Sequence, residues 1–129
     1  AVEISPIPGR VGQRLRNELI FQNTGGHERP KPVYRLDVVV RETLHTTLVQ
    51  SDGTSRGQIY LLEASFKLVD LKDPKRVLFE GTSYGRAAFE RFDSIYSNVR
   101  AREDAENRVA RTIGEDLKTR VGMFLSRPA

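Results

Sequence analysis

The segment VYRLDVVVRETLHTTLV, Val33 to Val49, alternates along its length. Tyr34, Leu36, Val38, Val40, Leu44 and Leu48 share one parity, and Arg35, Asp37, Arg41 and His45 share the other. That is the period-two signature of a strand with one buried and one wet face. Ser51-Asp52-Gly53-Thr54 follows as a turn, Asp-Gly being its strongest element. Gln58 to Asp70 then repeats the pattern. Tyr60, Leu62, Ala64, Phe66 and Leu68 face one way and Glu63, Ser65 and Lys67 the other, with Ile59, Leu61 and Val69 interrupting the polar side. Lys72-Asp73-Pro74-Lys75 reads as a second turn, and Val77 to Phe89 as a third strand, loosened by Gly81 and Gly85. Three strands joined by short turns predict an antiparallel meander.

Working outward, Val2 to Pro8 reads as a short strand whose prolines place its end at an edge or turn. Gly9 to Thr24 reads as a helix. Val11, Leu15 and Leu19 recur every four residues, and Gly25-Gly26 stops it. Arg102 to Ser126 reads as a second helix with the stripe Ala105, Val109, Ile113, Leu117, Val121 and Leu125. Glu103, Asp104 and Glu106 near its start and Lys118, Arg120 and Arg127 near its end would suit the helix dipole. The order β-α-β-β-β-α, with two amphipathic helices and one apolar sheet face to cover, predicts a single α+β domain over residues 1–129. Both helices would lie on one face of a four-stranded, mainly antiparallel sheet.

A strand from Val33 to Val49 would be ~55 Å long at ~3.3 Å per residue. A compact chain of this length is only about 35 Å across. Either the meander breaks, with Glu42 a charge on the apolar parity, or its tip near Asp52-Gly53 projects as a finger.

The 129 residues are 38% hydrophobic and 29% charged, which fits one globular domain with a real core. There is no cysteine, which removes disulfides, cysteine nucleophiles and thiolate metal sites. The opening at Ala1 is read as the product of leader removal or trimming. The net charge of +4 either favours acidic partners or simply keeps the chain soluble. Catalytic chemistry is not expected. His27 sits in a Gly- and Pro-rich loop and His45 on a wet strand face, with nothing to bring them to a nucleophile. No phosphate-cradling or zinc motif occurs. The adjacent pairs Glu103-Asp104 and Glu115-Asp116 point ~100° apart on a helix and cannot face each other. No cofactor and no metal are expected.

Two places remain for binding. Arg56 ends the first meander turn, while Arg100 and Arg102 lie before or at the start of the second helix, after Arg86 and Arg91. A helix start offers N–H groups to an anion, but Glu103, Asp104 and Glu106 would repel phosphate there. The second sheet face is the other place: Ile59, Leu61 and Val69 are either a partner patch or ordinary core. The α-β-β-β-α portion also has the element order of a double-stranded-RNA-binding domain. Its acidic helix start is of the wrong sign for phosphates, so nucleic acid is the alternative rather than the expected partner.

Two segments resemble the lipopolysaccharide-assembly lipoprotein family LptE, in its alphaproteobacterial form. One runs from Ile4 through Ser-Pro-Ile-Pro-Gly-Arg-Val-Gly-Gln-Arg-Leu-Arg-Asn-Glu to Leu19. The other runs from Phe79-Glu-Gly-Thr-Ser83 through Phe92-Asp-Ser-Ile-Tyr-Ser97, Asp104-Ala105 and Arg108 into Ile113-Gly-Glu-Asp-Leu-Lys-Thr-Arg120. Tyr34 to Asp37 also fits. The resemblance covers nearly the whole chain and rests on order and spacing rather than on a diagnostic motif. It implies a non-enzymatic, periplasm-facing outer-membrane lipoprotein, anchored by a lipidated N-terminal cysteine absent from this chain. It also implies a partner, the LptD-type β-barrel that such proteins plug, and a ligand, lipopolysaccharide. By the resemblance, Arg56, Arg100 and Arg102 would contact lipopolysaccharide phosphates, and Asp52, Gly53, Ile59 and Leu61 would meet the barrel or acyl chains. The family's basic residue before the turn glycine is missing here, where the sequence reads Gln50-Ser51-Asp52-Gly53. Arg56 is the nearby substitute.

Overall fold

A computed structural model describes residues 2–23, 31–49, 56–91 and 95–127. They form β1 (Val2–Ile4), α1 (Arg10–Asn23), β2 (Tyr34–Val49), β3 (Arg56–Asp70), β4 (Asp73–Arg91) and α2 (Ile95–Leu125). The sheet order is β1-β2-β3-β4; β1 runs parallel to β2, and the other pairs are antiparallel. This is the expected α+β arrangement, with the helices on one face of the sheet.

The alternation decides which face is covered. Leu36 and Val38 of β2, Tyr60, Leu62, Ala64, Phe66 and Leu68 of β3 and Ala87 of β4 are buried together with the stripes of both helices. From α1 these are Val11, Leu15 and Leu19, and from α2 Ala105, Val109, Ile113, Leu117 and Val121. Burying each Val, Leu or Ile is worth roughly 1.5–3 kcal/mol, so the stripes rather than helix propensity hold the layers together. The helices run parallel. Arg10 lies beside Glu106, and Glu18 beside Gly114 eight residues further along each.

Small residues set the spacing of the layers. A Cβ on Gly85 would sit 2.7 Å from Val109 Cγ1 and 3.3 Å from Ile113, so α2 rests on β4 through this gap. A Cβ on Gly81 would meet the Phe66 ring at 3.0 Å. The two glycines therefore do not loosen the third strand, as the sequence suggests; they make room for α2 and for Phe66. The Phe66, Phe79 and Phe124 rings continue the core to the end of α2, with Phe79 stacked on Phe124 at 5.0 Å.

Several boundaries differ from the sequence expectation. β1 is only three residues long, because Pro6 and Pro8 cannot extend the ladder. Gly9 takes a positive φ of 88° that turns the chain into α1. The second turn is Leu71-Lys72, and Asp73-Pro74-Lys75 belongs to β4. The ladder of β2 passes through Glu42↔Leu62 without interruption, and its irregularity falls between Thr46 and Val49. A charge is tolerated at Glu42 because the position is exposed, and its Oε1 accepts from the buried Tyr60 hydroxyl at 2.6 Å. The expected turn at Asp52-Gly53 lies outside the described residues.

Most consequentially, α2 begins at Ile95, seven residues before the expected Arg102. Its first turn holds no acidic residue and its last turn no basic one, so the proposed match of charges to the helix dipole does not exist.

Two measurements follow. Gly85→Ala should lower stability by about 1–3 kcal/mol through overpacking. Gly122→Ala, where an added Cβ meets nothing within 4 Å, should raise it by ~0.5–1 kcal/mol. Urea midpoints of the two variants check both. Burial pushes the Asp37 carboxyl up, but hydrogen bonds from Arg35 and Ser5 outweigh it and hold the group below its ordinary value. Its stabilising effect is present above the unfolded pKa and disappears as pH falls through the folded one. Asp37→Asn should therefore flatten the acid limb of the stability profile below about pH 4.

Candidate binding interface

The free end of the meander is where the fold brings two of the three sequence-selected arginines, Arg56 and Arg100. Arg56 opens β3 and pairs with Arg91, the last residue of β4. The chain then enters α2, so the first turns of that helix lie at this same hairpin end. They expose Ile95 (81%), Tyr96 (71%) and Val99, and Leu44 of β2 is also exposed. Arg100 stands among them. Its guanidinium lies 6.0 Å from the Tyr96 ring centroid, with Nη1 3.4 Å from the hydroxyl, an arrangement that leaves most of its donors open to solvent.

The geometry explains why this end is uncovered. α1 has 14 residues, or about 21 Å, while β2 has 16, or about 53 Å. The shorter helix starts beside Val40 and Glu42 and leaves the rest of β2 without a cover. Only α2, at about 46 Å for its 31 residues, runs on towards the hairpin. The long strand is thus not broken at Glu42; from Arg41 to Thr46 both of its faces are exposed, while Gln58 and Tyr60 of the neighbouring β3 are buried.

Arg102 is differently placed. Its Nε donates to Glu106 Oε2 at 3.0 Å, and Arg10 Nη2 donates to both oxygens of the same carboxylate at 2.8 and 3.0 Å. Glu106 is buried in the helix layer, and the bond to it raises the Arg10 guanidinium above its ordinary value. Glu42 lines a cavity of about 380 Å³ together with Arg10, Arg102 and Glu106, and Glu103 lies 3.5 Å from Arg10, so two arginines meet three carboxylates in this cluster. Burial, followed by the bond to Glu42, pushes the Tyr60 hydroxyl well above its usual range, which keeps it a neutral donor. This cluster ties the start of α1 to α2 and holds no spare positive charge. Of the three arginines singled out in the sequence, Arg56 and Arg100 share the hairpin end, and Arg102 is bound inward.

The face away from the helices is mixed. Ile59 and Leu61 are half-buried, between His45 and Ala88 and between Thr43 and Arg86 respectively. Val69 is buried beside the irregularity that joins β3 to β4, so it belongs to no exposed patch. The middle of the face reads Asp37–Lys67–Glu80 and Arg41–Glu63–Tyr84 across the strands. Asp52, Gly53 and His27 lie outside the described residues, and His45 is exposed. Among the described residues no cluster of His, Asp or Glu could hold a metal ion, and no helix is long and apolar enough to cross a membrane. The exposed apolar group Ile95, Tyr96 and Val99 escaped the sequence reading because the helix start was placed after it. The Ile95-Tyr96 pair beside Arg100 was the available signal.

No known family model matches the chain, and no curated protein does. Solved structures do match its fold. A Caulobacter crescentus CB15 protein designated a lipoprotein superimposes with a TM-score of 0.75 at 16% identity, over 98% of this chain and 92% of its own. A minor lipoprotein from Acinetobacter baumannii gives 0.65 at 11% identity, covering 98% and 96%. Rare lipoprotein B from Shewanella oneidensis gives 0.59 at 13% identity, covering 97% and 95%. At these identities the likeness establishes a common fold along the whole domain.

The ion cluster makes an asymmetric prediction. Glu106→Ala leaves Arg10 and Arg102 to water, since their side chains are 63% and 40% exposed, and should cost only about 1 kcal/mol. Replacing both arginines by Ala strands a carboxylate that is 5% exposed and should cost about 3 kcal/mol or more. Equal losses in chemical denaturation would contradict this description of the cluster.

Proposed function

We propose that this chain is the folded part of an outer-membrane lipopolysaccharide-assembly lipoprotein of the LptE type. It acts without catalysis, seated in an LptD-type β-barrel and binding lipopolysaccharide. The observation that carries the reading is the composition of the hairpin end. Lipopolysaccharide presents phosphates beside acyl chains, and a site for it needs cations next to exposed apolar surface. Strand register places Arg56 and Arg91 at that end, Arg100 stands exposed there on α2, and Ile95, Tyr96, Val99 and Leu44 provide apolar surface. Guanidinium forks form charge-assisted, often bidentate bonds to phosphate.

The structural relatives support this reading in outline, because all three are designated lipoproteins and share the domain from end to end. The sequence resemblance supplies the barrel, the ligand and the outer-membrane location. A ribbon projecting past α1 suits insertion into a barrel lumen, where backbone at its edge and the half-buried Ile59 and Leu61 would meet the wall. Arg56 and Arg100 are assigned to phosphate. Arg102 supports them from behind by fixing α2 through Glu106.

Replacing Arg56, Arg100 and Arg102 together by Ala should reduce lipopolysaccharide affinity by about tenfold or more. In the double variant of Arg56 and Arg100 most of that loss should already be present. Unchanged affinity in the triple variant would remove the residue assignment. Co-expression with an LptD-type barrel should yield a complex that survives purification. Tight duplex-RNA binding that falls steeply with salt, with none to lipopolysaccharide, would replace the whole reading by the nucleic-acid one.

A further inference from the structure

The opposite end of the molecule carries a second surface, independent of the hairpin end. Three segments meet there: residues 31–33 before β2, residues 70–77 around the β3–β4 turn, and residues 122–127 at the end of α2. Their proximity is fixed by contacts. The Leu71 N–H donates to the Val33 carbonyl at 3.1 Å, and Phe124 stacks on Phe79 just inside the turn. β1 also starts at this end, Val2 pairing with Tyr34.

The charge of these segments is one-sided. Lys31, Lys72, Lys75, Arg76 and Arg127 are all exposed, against Asp70 and Asp73 alone. Asp70 is half-buried and accepts the Lys72 N–H at 2.9 Å. Within these three segments five cations stand against two carboxylates, a net of three positive charges, and the exposed Glu3 of β1 at the same end faces Arg35 in the register. Among the cations, four apolar side chains stand in solvent: Val33, Val77, Leu125 and Met123, the last 67% exposed. A nucleic-acid backbone would use the charges and leave the apolar groups wet. An anionic bilayer uses both, through headgroup phosphates for the cations and the acyl boundary for the apolar tips.

We propose that this end is a docking surface for an anionic phospholipid bilayer, with Lys72, Lys75 and Arg76 over the headgroups and Met123 and Leu125 dipping between them. The surface lies across the molecule from Arg56 and Arg100, so it stands or falls separately from lipopolysaccharide binding.

The chain contains no tryptophan, so a single introduced one reports on its own surroundings. The chain should co-sediment with phosphatidylcholine vesicles containing phosphatidylglycerol, less so at high salt, and not with phosphatidylcholine alone. Charge reversal by Lys72→Glu, Lys75→Glu and Arg76→Glu, all in exposed positions, should weaken that binding about tenfold or more. The emission of Met123→Trp should shift to the blue on vesicle addition, while that of Tyr96→Trp at the hairpin end stays put. The Arg56→Ala, Arg100→Ala variant should bind vesicles like the parent. The proposal is overturned by equal binding to neutral vesicles, by a charge-reversed variant that binds unchanged, or by a shift at Tyr96→Trp with none at Met123→Trp. Loss of lipopolysaccharide affinity in the arginine variant, with vesicle binding intact, would separate the two surfaces.

Discussion

The close approach of α2 to β4 is the contact on which the rest of the molecule depends. Val109 and Ile113 reach the sheet only because position 85 is glycine, and Ser83 donates to Asp116 at 2.6 Å one step further along. Arg120 then closes over the Phe66 ring, donating to the Thr82 carbonyl at 2.8 Å. These polar ties pin the register of a long helix whose apolar stripe alone would permit sliding. Once α2 is fixed, α1 packs beside it through the gap at Gly114 and the Arg10–Glu106 bond. The covered face is then full, and the other face and both ends are left to solvent.

That asymmetry gives the molecule its two distinct ends. One strand-to-helix mismatch produces the first: α1 is too short to follow β2, so the hairpin end is backed only by the start of α2. The second arises where β1 is short and the β3–β4 turn and the end of α2 come together. Cations and exposed apolar side chains occur at both ends, yet with different neighbours. Arg100 leans on an exposed tyrosine, whereas the lysines near the β3–β4 turn stand around valine, leucine and methionine.

Much of this was legible in the residues. The alternation of Tyr60, Leu62, Ala64, Phe66 and Leu68 and the four-residue spacing from Ala105 to Val121 correctly placed one covered face and two helices upon it. The start of α2 was not legible. Ile95-Tyr96-Ser97-Asn98-Val99 holds a single apolar pair at four-residue spacing, Ile95 and Val99, and both are exposed; periodicity reports burial rather than helix. From the sequence Glu106 is an acid near the helix start; only a three-dimensional neighbour, Arg10 on another helix, shows why it can be buried. The glycines of β4 looked like weak points because a single strand shows what a residue lacks and not what presses against it. Arg56 and Arg100, far apart in sequence, share an end through the strand register, and Arg102 was separated from them by the i,i+4 bond to Glu106.

Contact between lipopolysaccharide and the hairpin end is tested most directly by amide chemical-shift mapping of the labelled chain during titration with lipopolysaccharide. The shifts should concentrate in residues 44–46, 56–60 and 95–100. Shifts confined to residues 31–33, 70–77 and 122–127, or none at saturating ligand, would contradict it.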